Sequence, residues 1–111
     1  MKTAALLYVR NDNYKEDERV VVCISSMLDT FDEVILLDWN SPEDKGPLLY
    51  QIQDKLPKTG RLKHYIIPPS AAHALTYEDP NAQACTHVIS CNLMLRRCDA
   101  DWMVCTTIIL S

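Results

Sequence analysis

The sequence predicts an α/β domain: a Rossmann-like, mostly parallel sheet with helices on both faces. Three observations predict it. The runs Ala4-Ala5-Leu6-Leu7-Tyr8-Val9 and Val34-Ile35-Leu36-Leu37 are continuously apolar rather than alternating, as in strands buried on both faces. Segments of helical period fall between the strand-like runs. With 111 residues, 48% of them hydrophobic, the chain is long enough for one domain with a core and too short for two, so residues 1–111 are read as a single unit.

The elements follow in order. Thr3 to Val9 reads as a buried strand. In Glu16 to Phe31, Val20, Ile24, Met27 and Phe31 recur at spacings of four, three and four, one face of a helix. The β-branched run Val20-Val21-Val22-Cys23-Ile24 would also suit a strand. Period, length and the acids at the start, which suit the helix dipole, favour helix. Glu33 to Trp39 is the second strand. Gly46-Pro47 opens a short helix, with Leu48 or Leu49, Ile52 and Leu56 facing inward and Pro57 closing it. Leu62 to Ile67 is a third strand, stopped by Pro68-Pro69. Ser70 to Asn81 reads as a long loop, of a kind often functional. Ala82 to Cys98 is a helix with an inner stripe of Ala84, Val88, Cys91, Leu95 and Cys98, and Trp102 to Leu110 is the fourth strand.

Composition excludes several classes. A net charge of -4 gives no basic face for nucleic acid. No apolar run approaches the ~18 residues of a membrane span. The amino-terminal stretch lacks the small-residue cleavage site of a signal peptide, and Arg10-Asn11-Asp12-Asn13 stands in its place. Five cysteines are an odd number without a C-x-x-C pair, and three lie in apolar patterns. They are expected to be reduced and unmetallated, in a reducing, cytoplasmic setting. Only Gly46 and Gly60 occur, so neither a dinucleotide fingerprint nor a P-loop is present.

Ligands of open parallel sheets bind at the carboxyl ends of strands, here Arg10-Asn11-Asp12, Asp38-Trp39-Asn40 and Pro68-Pro69-Ser70. Asp38 at such an end either accepts hydrogen bonds from a ribose or base, or forms an Asx-turn or cap for Ser41-Pro42-Glu43-Asp44. Arg10-Asn11-Asp12 fits a nucleotide contact and equally a solvated turn. Asn92 and Arg96 share a helix face, where an arginine clamps phosphate or simply lies in solvent. His87 and Cys91, four apart, would make only half a metal site, and Cys91 lies on the core stripe.

Together "VRNDNY", "EVILLDWNSPED" and "CNLMLRRCDADWMVCTT" resemble the nucleotide-binding half of GT-A glycosyltransferases of the family-two-like kind. The resemblance spans nearly the whole chain. It implies a GT-A-like half domain recognising a nucleotide-sugar donor, a UDP-sugar. Asp38 would contact uracil or ribose, Arg10, Asn11 and Asn40 would flank the nucleotide, and Asn92 and Arg96 would help shape the site. Such enzymes hold manganese or magnesium with an acid near the end of the fourth strand. Aligned without a gap, Ile109 stands there; alternatively two residues are missing between Thr107 and Ile108. Neither alignment supplies a carboxylate, and isoleucine does not ligate a hard cation, so no cofactor is expected. Without an acceptor half, the resemblance implies a fragment or degenerate form, truncated after Ser111, with weak or no transfer and no assignable catalytic residue. The rival reading is a non-enzymatic α/β interaction domain that self-associates through an uncovered edge at strand four.

Overall fold

A computed structural model describes residues 1–11, 17–75 and 87–107; for 17, 87, 88, 106 and 107 it describes the backbone alone. Four parallel strands form one sheet in the order β3-β2-β1-β4: β1 Thr3–Val9, β2 Glu33–Trp39, β3 Leu62–Ile67 and β4 Trp102–Thr107. Helices α1 (Asp17–Thr30), α2 (Leu48–Ile52), α3 (Pro69–Leu75) and α4 (His87–Leu95) connect them. The predicted class and four strands stand, and the part of β4 predicted beyond Thr107 lies outside the described residues. The segment predicted as the first helix is helical, so β-branching at Val20 to Val22 yields to packing: Val20 and Ile24 are fully buried.

Strand alternation divides the core in two. Ala5, Leu7, Val9, Val34 and Leu36 meet α1 and α2 on one face, while Ala4, Leu6, Tyr8, Ile35, Leu37 and Trp39 meet α3 and α4 on the other. Both faces of β1 and β2 are covered, which is why these runs are continuously apolar. Glu33, though charged, is buried at the amino edge; Lys2 and Lys63 each bring an ammonium 3.2 Å from its Oε2. No basic residue lies in the last turn of α1, and Arg61 supplies one from β3's approach, donating from Nη1 to the Leu28 carbonyl at 2.9 Å.

Three expectations are corrected. Ser70 to Leu75, read as the first part of a loop, belongs to α3, and residues 76–81 of that loop lie outside the described residues. Pro69 is the helix's first residue, where a missing N–H costs nothing, and the alanines that follow favour helix. The inner face of α4 is rotated from the predicted stripe. Ser90 and Met94 are fully buried and Leu95 is exposed; in the run Leu93-Met94-Leu95, apolar residues point every way and fix no phase. Ala84 lies outside the described residues, as does the Val88 side chain. Finally, Cys91 and Cys105 form a disulfide between α4 and β4, their Cα atoms 6.2 Å apart, so the expectation of reduced cysteines fails for this pair. An odd count conceals a single bonded pair. The bond also removes the argument for a reducing compartment. Cys23 and Cys98 are free thiols, and Cys85 lies outside the described residues. No described helix is long and apolar enough to cross a membrane.

Candidate functional site

β2 carries Asp38 to the carboxyl edge of the sheet on the α1/α2 face, where it is 1% exposed. Both carboxylate oxygens are used. Ser41 Oγ donates to Oδ1, and the Leu49 N–H donates to Oδ2 at 3.0 Å. Pro47, at the start of α2, has no side chain that can cap it, so Asp38 satisfies the first amides from a distance. Burial pushes the Asp38 pKa up, against the opposing pull of Ser41 and the amides of Leu49 and Leu48.

The same network joins three strand ends. Ser41 Oγ accepts from the Asn11 N–H at 3.0 Å, and Asn11 Nδ2 donates to the Gly46 carbonyl at 2.9 Å. Arg10 Nε donates to the Asn40 carbonyl at 2.8 Å, and the Asn40 N–H donates to the Ile67 carbonyl at 2.8 Å. Asn40 itself sits at φ 52°, a left-handed conformation that asparagine tolerates and most residues do not. Asn40→Ala should therefore cost about 1 kcal/mol in urea unfolding, while Asn40→Gly should be nearly neutral. Equal losses in the two variants would show that the side chain, not the backbone, matters there.

Beside this network lies a cleft of about 230 Å³ at the ends of β2 and β3. Asp38, Ser41, Gly46 and Pro47 border one side, and Ile66 through Ser70 the other. Its apolar walls and few polar groups have the character of a small-molecule site, although ordinary ligand pockets measure roughly 300–1,000 Å³. It has room for a ring rather than for a whole nucleotide.

Arg10, Asn11, Asp38 and Asn40 are thus brought together, and the cap reading of Asp38 is realised in a form that sequence did not specify. It holds Ser41 and also the start of α2. Asn92 and Arg96 do not join them. Arg96 Nε donates to Asn92 Oδ1 at 2.9 Å on the exposed end of α4. From there the chain returns to the amino edge, where the Asp101 N–H meets the Lys2 carbonyl. Bonded to Cys105, Cys91 is no metal ligand for His87, whose side chain lies outside the described residues. Among the described residues, no three His, Cys, Asp or Glu side chains converge on a metal position. Sequence reasoning missed Ser41 as the hub of the network, and missed Ile66 and Ile67 as cleft walls. An alcohol three residues after an acid was the available signal for Ser41.

No family model, curated protein or solved structure matches the chain. The fold is that of a small α/β domain with a parallel sheet flanked by helices, a generic Rossmann-like arrangement that serves many functions.

Proposed function

We propose that the cleft at the ends of β2 and β3 receives the base of a nucleotide-sugar donor, a UDP-sugar, in a glycosyltransferase-like protein with weak or no transfer activity. The observation that supports this reading is the cleft's position at the carboxyl edge of a parallel sheet, where such sheets bind ligands. Ile66, Ile67 and Pro47, which line the cleft, would face the ring. Arg10 and Asn40 lie outside its lining, joined to it through the Asn40–Ile67 hydrogen bond, and would lie toward ribose and diphosphate. Asp38 and Asn11 act chiefly by holding the strand ends together: both Asp38 carboxylate oxygens accept hydrogen bonds within the protein, and the Asn11 backbone N–H and Nδ2 donate within it. Asn92 and Arg96 belong to the other end of the domain.

Calorimetric titration with uridine diphosphate tests the reading. A cleft this small should give a Kd on the order of 0.1–1 mM, about -4 to -5.5 kcal/mol. Arg10→Ala should weaken binding about tenfold through a lost charge-assisted contact, and Arg96→Ala should leave it unchanged. No heat of binding at millimolar ligand, or equal affinity for the wild type and Arg10→Ala, would refute the proposed site. Robust manganese-dependent sugar transfer would refute the weak-activity part.

A second reading, an interaction domain that self-associates at its sheet edge, is favoured by one observation. Trp102 and Val104 of β4 are 66% and 50% exposed.

A further inference from the structure

Among the described residues β4 is the edge of the sheet, hydrogen-bonded on one side to β1. Its register pairs Trp102 with Thr3 and Val104 with Ala5, so both side chains point to the α1/α2 face. There α1 covers β1 and β2 but leaves these two residues in solvent. On the opposite face Met103 is 39% exposed, and Cys105 is tied to α4 through Cys91. Edge strands are normally protected by a charge, a proline or a bulge. The strand Trp-Met-Val-Cys-Thr-Thr has neither charge nor proline, and the disulfide anchors it to the helix behind.

We infer that β4 is a homodimer interface: two copies pair their β4 edges antiparallel about a two-fold axis, making one continuous eight-stranded sheet. This rests on the self-association reading above and names its partner and geometry. Two-fold pairing is self-complementary, so the same patch serves both subunits and the assembly closes instead of growing into a fibre. With Met103 at the axis, Trp102 lies opposite Val104 of the partner subunit, twice over, an aromatic against a β-branched side chain. Area also bears on the occupant. The three exposed side chains present roughly 300 Å² per copy. Symmetry doubles this, and the covered main-chain edges bring the total toward the ~1,000 Å² that a specific interface needs. The dimer is accordingly weak, with a dissociation constant on the order of 10 μM or higher.

Sedimentation velocity of the full chain between micromolar and several hundred micromolar tests the inference. The expected result is a concentration-dependent monomer–dimer equilibrium. Trp102→Lys should weaken it at least tenfold, with unchanged circular dichroism and thermal midpoint because the side chain is already in solvent. In Met103→Cys, mild oxidation should trap a dimer whose peptide map shows a 103–103 link. A monomer at every concentration overturns both the inference and the self-association reading. A dimer indifferent to Trp102→Lys and lacking the 103–103 link overturns only the β4 geometry. Hydrogen exchange showing protected outer β4 amides in the monomer would mean that the chain itself covers the edge, and would overturn the inference as well.

Discussion

Replacing Asp38 by alanine is expected to destabilise the fold by about 2–4 kcal/mol. The loss is that of two orphaned donors, about 1–2 kcal/mol each within the ~1–3 kcal/mol of a buried group left unsatisfied, and one of the two is the helix amide that Asp38 caps. The donors in question are Ser41 Oγ and the Leu49 N–H, both directed at a carboxylate that is 1% exposed. Asp38→Asn keeps the shape and one acceptor, and should cost less. The two variants also differ in their pH dependence. Burial raises the folded pKa of Asp38 above its unfolded value near ~3.9. Between those two values the native state binds more protons than the unfolded chain. The stability contributed by this group is therefore complete below the unfolded pKa and is lost as pH rises through the folded pKa. Asparagine does not titrate, so the deficit of Asp38→Asn relative to wild type should shrink from pH 4 to pH 7 in urea unfolding. A deficit that grows with pH would mean that the ionised carboxylate is favoured by its site.

Loss of the Cys91–Cys105 bond should have an effect of similar size. The cysteines are separated by 14 residues, and closing a loop of that length restrains the unfolded chain by about 3 kcal/mol. For a domain of this size the thermal midpoint should fall by roughly 10–15 °C. Cys91→Ser with Cys105→Ser, or reduction of the wild type, should both show it. Reduction should leave the double variant where it is. A native protein with five titratable thiols, and no response to reductant, would show that the bond does not form.

The parts of the fold that sequence disclosed are those where one physical signal dominates. β1 and β2 are covered on both faces, and their apolar runs admit little else; α1 shows a clear period across Val20 and Ile24. Where two signals compete, the sequence was ambiguous. Pro68-Pro69 ends a strand and also begins a helix, and only packing of Ala72 under the sheet decides for α3. Apolar residues all around α4 left its phase open, and a disulfide between a helix and a strand leaves no local mark. At the candidate site, position was legible and bonding was not. The strand ends marked Arg10, Asn11, Asp38 and Asn40 together, but the pairing of Asp38 with an amide 11 residues onward is a tertiary fact. Asn92 and Arg96 were grouped with them by resemblance, whereas the direction of α4 carries them to the opposite edge.

The central claim, that the carboxyl edge at β2 and β3 recognises a nucleotide, is tested most directly by amide chemical-shift mapping during titration with uridine diphosphate. The expected result is a saturable set of shifts confined to Arg10–Asn11, Asn40–Gly46 and Ile66–Ser70, with β4 and the end of α4 silent. Shifts centred on Asn92 and Arg96, or none at millimolar ligand, would contradict it.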